Sequence, residues 1–139
     1  MGTQILVPMD GSELAATALE YALETFPDAE LTVLHVVGVP SLFMGDATSL
    51  ALETDLEAAG EERAGDVFDR AREVAEDYDA DLQTQVAFGR PAKAIVEAAA
   101  SFDTVVLGSH GSDTIERILL GNVAETVVRR SPVPVVVVR

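Results

Sequence analysis

The sequence predicts an α/β fold, a parallel sheet with helices on both of its faces. Two observations carry this. Short, largely apolar runs recur at residues 4–8, 31–37, 82–88, 104–107 and 133–138. Runs of that length and composition read as strands buried between helices rather than strands with one wet face. Helical periodicity fills the gaps between them, so strands and helices alternate along the chain, the pattern of parallel βαβ units.

Each element has its own local reason. Ile5, Leu6 and Val7 make the first strand. Ser12 is placed to cap the following helix, whose apolar stripe is Ala15, Ala18, Leu19, Ala22, Leu23 and Phe26. Pro27-Asp28 stops it. The second strand, 31–37, is rich in β-branched residues. Residues 38–53 read as irregular, with the apolar cluster Val39, Leu42, Phe43 and Met44. A long helix is expected from about Thr54 to Tyr78, apolar along Leu56, Ala59, Val67, Ala71, Val74 and Tyr78. Its carboxylates, from Glu57 to Asp77, read as a solvated face. Gly89-Arg90-Pro91 opens a helix carrying Ile95, Val96 and Ala99, with proline suited to the first turn. The fourth strand, a glycine-containing segment, a helix at about 123–130 and a closing apolar strand complete the chain. No linker or repeat interrupts this rhythm, so one domain over residues 1–139 is expected.

Composition excludes several functions. There is no cysteine, so disulfides, cysteine–zinc sites and thiol nucleophiles are absent. Two histidines, His35 and His110, do not make a histidine-rich metal site. The 24 acidic and 9 basic residues set a formal charge of −15. Such a chain repels nucleic acid and anionic membrane surfaces. The excess of carboxylates fits either an ordinary acidic protein or, as the favoured reading, one from a high-salt cytoplasm. No apolar run approaches the ~20 residues of a membrane span. With no export signal evident, a cytoplasmic location is expected.

Chemistry is expected just after the strands, because α/β sheets bind ligands beyond their carboxyl ends. The fourth strand leads into Gly108-Ser109-His110-Gly111, and Gly121-Asn122 stands ahead of the last helix. Glycines let the backbone approach a ligand, and exposed N–H groups with a helix N-terminus attract phosphate. The same pattern also suits a long structural loop with a glycine turn at each end. After the first strand, Asp10 could accept from a ribose or hold a metal, or it could simply join Ser12 in capping the helix. A P-loop and a dinucleotide-binding glycine fingerprint are both missing. A receiver-type phosphorylation site is excluded by Phe88-Gly89 and Val138-Arg139 at the positions where it needs aspartate and lysine. Ser109, His110 and Asp113 do not make a triad, since adjacent side chains diverge. No catalytic residue is assigned. His110 reads as a donor near phosphate or a solvated residue, and His35 as a satisfied structural histidine.

Taken in order, 5–12 (ILVPMDGS), 34–37 (LHVV), 89–91 (GRP), 108–111 with Gly121, and 131–138 (SPVPVVVV) resemble the universal stress protein family, in its ATP-binding branch. The resemblance implies an adenine nucleotide alpha-hydrolase-like fold with strand order 3-2-1-4-5. It implies an ATP cleft between the ends of strands one and four. Val36 would meet the adenine with its backbone, and Pro8, Met9 and Asp10 would line the adenosine. Leu107, Gly108, His110, Gly111, Gly121, Asn122, Val123 and Ala124 would surround ribose and phosphates, with Mg²⁺ expected alongside. Asn122 departs from the family's serine or threonine, which bears on the terminal phosphate contact. The expected role is a regulatory stress-response module. The alternatives are a nucleotide-free interaction dimer and a slow ATP hydrolase. A homodimer is expected through the strand from Val133 to Val138, which the strand order leaves at the sheet edge.

Overall fold

The computed structural model describes residues 2–38, 46–110 and 120–139, with side chains omitted for 46–57. The element order is β1 (Gln4–Pro8), α1 (Glu13–Thr25), β2 (Glu30–Val37), α2 (Asp46–Glu76), β3 (Leu82–Phe88), α3 (Pro91–Ala99), β4 (Thr104–Gly108), α4 (Asn122–Arg130) and β5 (Val135–Val138). The sheet is parallel throughout, in the order β3-β2-β1-β4-β5.

Side-chain alternation along the strands splits the core in two. Ile5, Val7, Leu31, Val33 and Val106 face α1 and α2. Leu6, Leu34, Val105 and Leu107 face α3 and α4. Both faces of the central strands β2, β1 and β4 are therefore apolar, whereas β3, expected as a buried strand, lies at the sheet edge and is exposed from Gln83 to Val86. On α1 the expected stripe is buried from Ala15 to Leu23, and Ser12 Oγ accepts the Ala15 N–H at 3.1 Å.

Three features differ from the sequence reading. The long helix begins at Asp46, not near Thr54. Its added N-terminal stretch contains alanine, leucine and glutamate, all good helix formers. The apolar cluster Val39, Leu42, Phe43 and Met44 lies outside the described residues. Ala59, expected on the buried stripe, is exposed, and the inner face runs instead through Ala64, Val67, Phe68, Ala71, Val74 and Ala75. The third difference is β5, which begins at Val135 rather than Val133. Pro132 and Pro134 lack N–H groups, and Ser131 Oγ both donates to the Val133 carbonyl and accepts its N–H. The acids from Glu61 to Glu76 on α2, and Asp77 just after it, are exposed, as expected of a solvated face.

Candidate functional site

The connection from β1 runs to β2 on one side, while β4 pairs with β1 on the other. The carboxyl ends of β1 and β4 therefore flank the point where the strand order reverses, where doubly wound sheets open a crevice. A cleft of about 380 Å³ lies there.

The first wall is the turn after β1. Met9 is buried and its N–H donates to Leu34 O at 2.8 Å, extending the ladder by one rung past Pro8. Asp10 is exposed, and its Oδ1 accepts the Ser12 N–H at 3.0 Å. Gly11 between them has a φ of +88°, a conformation that favours glycine. Ser12 caps α1, while Asp10 shapes the turn and lines the cleft.

The second wall is built after β4. Ser109 N–H donates to Val138 O at 2.8 Å, and Ser109 O accepts the Gly121 N–H at 2.7 Å. One buried residue thereby ties the end of β5 to the start of α4. Gly121 is the N-cap of α4 and makes no side-chain cap. Asn122 is the first helical residue rather than the cap, so its amide does not close the helix end. Its carbonyl accepts from Thr126 Oγ1 at 2.9 Å.

Pro8, Met9, Asp10, Val36, Leu107, Gly108, His110, Gly121, Asn122, Val123 and Ala124 all line this one cleft. Gly111 lies outside the described residues. The lining also includes Ser12, Ala15, Leu34, His35, Pro91 and Ile95, which sequence reasoning did not place there. Pro91 and Ile95 arrive because α3 crosses from β3 to β4 and so passes its first turn over the ends of β2 and β1. The Gly89-Arg90-Pro91 turn was visible as a helix start, but its position over the cleft depends on the strand order. His35 is buried, and its Nδ1 lies 2.8 Å from the Met9 carbonyl. It is therefore a satisfied histidine, as expected.

Asp10 is the one carboxylate among the described lining residues, and no described group of three potential ligands could hold a metal by itself. No described lysine or arginine lines the cleft. Its polar equipment is main-chain N–H groups, a carboxylate, hydroxyl, amide and imidazole groups. That set suits hydrogen bonding and orientation of a ligand.

A family model described as universal stress protein matches residues 1–139. Universal stress protein MJ0531 of Methanocaldococcus jannaschii is 34% identical over 140 residues, covering 98% of this chain and 81% of the relative. MJ0577 of the same organism is 31% identical over 155 residues, covering 100% and 96%. Its solved structure aligns with a TM-score of 0.83 at 30% identity, over 99% of this chain and 96% of that one. A universal stress protein solved in complex with cAMP aligns with a TM-score of 0.71 at 26% identity, over 99% and 97%. The five-stranded 3-2-1-4-5 sheet is the adenine nucleotide alpha-hydrolase-like fold of these neighbours. With the family pattern matched from end to end and the fold shared over nearly the whole length, the chain belongs to the universal stress protein family.

Proposed function

We propose that this chain is a single-domain regulatory module that binds an adenine nucleotide, ATP, in the cleft between the ends of β1 and β4. The observation that carries the reading is the convergence of Asp10, Val36, His110, Gly121 and Asn122 from four separate segments onto one cleft of nucleotide size. The similarity to a protein solved with cAMP supports an adenine ligand.

In this reading the Val36 backbone meets the base, Asp10 accepts from the ribose, and the first-turn N–H groups of α4 receive phosphate. The cleft fits a divalent ion that arrives on the triphosphate. With Asp10 on the ribose, such an ion would take its ligands from phosphates and water. When bound, Mg²⁺ would neutralise phosphate charge in a protein that is itself strongly anionic.

The experiment is to heat-release small molecules from the purified protein and identify them by chromatography, followed by calorimetric titration with ATP and Mg²⁺. Co-purifying adenine nucleotide or saturable ATP binding is the expected result. A nucleotide-free protein with no heat of binding overturns the reading and favours an interaction dimer. Steady ATP turnover lost in Asp10→Ala favours a hydrolase.

The proposal extends to a cytoplasmic homodimer paired through the edge strand β5. The valines of β5 are half-buried, and the strand carries no lysine to block pairing.

A further inference from the structure

The even-numbered residues of β2 turn their main-chain groups toward β1. Glu30 N–H donates to Thr3 O at 2.8 Å, and Leu34 O accepts from Met9 N–H at the same distance. The parallel ladder advances two residues per rung, so its next bond would run from Val36 N–H to Met9 O. Among the described residues that bond is not made. The Met9 carbonyl is held instead by the imidazole of His35, at Nδ1. The rung is replaced by a side chain, and β1 leaves the sheet one step before Val36. Val36 is half-buried and lines the cleft, with its N–H and C=O edge turned to the side that β1 has vacated.

The identity of residue 35 is costly for packing alone. Its neighbours on the same face, Val33 and Val37, are buried aliphatic residues in the α1/α2 half of the structure. A buried imidazole there must find a partner for its polar atoms, and an aliphatic residue would not.

We infer that His35 is a positioning residue for the nucleotide cleft: by taking the Met9 carbonyl, it holds the Val36 N–H and C=O open as the donor–acceptor pair that reads the base. This rests on the nucleotide reading above. His35 does not touch the ligand in this role. A carbonyl can only accept, so Nδ1 carries the hydrogen, and the bond keeps the Met9 carbonyl off the Val36 N–H. A base with an adjacent donor and acceptor on one edge fits such a pair.

The test uses the full chain with His35→Asn, His35→Leu and His35→Gln. Asparagine places an amide N–H where Nδ1 stands, glutamine places it one bond farther out, and leucine has none. In the unliganded wild type, the Val36 amide should exchange with solvent faster than the Leu34 amide, by hydrogen exchange followed by NMR. In His35→Leu the Met9 carbonyl should fall back on Val36 N–H, slowing its exchange about tenfold and weakening ATP binding about tenfold. His35→Gln should follow leucine, and His35→Asn should restore both values even if its melting temperature falls. A wild-type Val36 amide already protected without ligand overturns the inference, whether or not any variant folds. Equal ATP affinity in wild type and His35→Leu also overturns it. A wild type that binds no nucleotide, yet shows the Val36 exchange pattern, overturns the nucleotide reading and leaves the role of His35 at the strand end supported.

Discussion

A Cβ on Gly108 would lie 3.0 Å from Leu14 Cγ and 3.4 Å from the Leu14 main chain. This glycine therefore permits α1 to pack on the end of β4, a role that spacing does not distinguish from contact with a ligand. Gly108→Ala should destabilise the fold by about 1–3 kcal/mol through overpacking. Denaturant unfolding checks this, and an unchanged midpoint would show that Leu14 gives way. At Gly121 a Cβ would meet His110 Cα at 3.2 Å and Ser109 O at 3.4 Å. A branched side chain there displaces the Ser109–His110 turn as well as filling the cleft. Gly121→Val should abolish ATP binding with some loss of stability. Gly111→Val should also abolish binding, and Asn122→Ser should keep or improve it. Calorimetry reads all three, and unchanged affinity in both glycine variants removes the site assignment. Side-chain identity made Asp10 and the glycines visible as candidates. His35 was visible only as a residue with a partner, because the acceptor is a main-chain carbonyl 26 positions away.

Between elements, α1 and α2 are joined near their C-terminal ends by Tyr78 Oη, which donates to Glu24 Oε1 at 2.6 Å. The hydrogen bond to the Glu24 carboxylate, with desolvation and nearby acids, raises the phenol from 10.0 to about 12. A raised folded value means that the neutral phenol stabilises the fold. That contribution is complete below pH 10 and is lost as pH rises toward about 12. Tyr78→Phe should remove this part of the alkaline loss, so the variant and wild type should converge across that window in urea unfolding. Parallel curves would show that the bond does not couple to folding. The edge strand carries the dimer proposal. Light scattering after size exclusion in molar salt should return a dimer, and Val136→Pro should yield monomer or aggregate by removing a ladder donor. A monomeric wild type at micromolar concentration would refute it. The central strands were legible because burial on both sheet faces demands apolar residues. The start of α2 was not, since serine, threonine and aspartate near it read locally as loop residues.

For the whole molecule, charge is the governing term. A formal charge of −15 repels itself at low ionic strength. Described ion pairs such as Arg129–Glu125 at 3.1 Å are exposed and offset little of that repulsion. At 1 M salt the Debye length is about 3 Å, so the repulsion is largely screened. The melting temperature should therefore rise from dilute buffer to molar KCl, as expected for a protein adapted to high salt. Scanning calorimetry across that range checks it, and a flat or falling temperature counts against the adaptation.

Taken by itself, the sequence determined the α/β class, the succession of elements, the solvated acidic face of α2 and the set of residues standing at strand ends. These follow from short-range physics: periodicity, capping and the turn chemistry of glycine and proline. Its likeness to a known family supplied the strand order, which no local signal contains. The tertiary structure alone decided that Pro91 and Ile95 reach the cleft, that Gly108 yields to Leu14, and that Gly121 rather than Asn122 caps α4. It alone decided that His35 takes the carbonyl a backbone rung would have used. Each of these depends on where one segment meets another distant in sequence, and such contacts are set by packing of the whole sheet, not by the residues on either side.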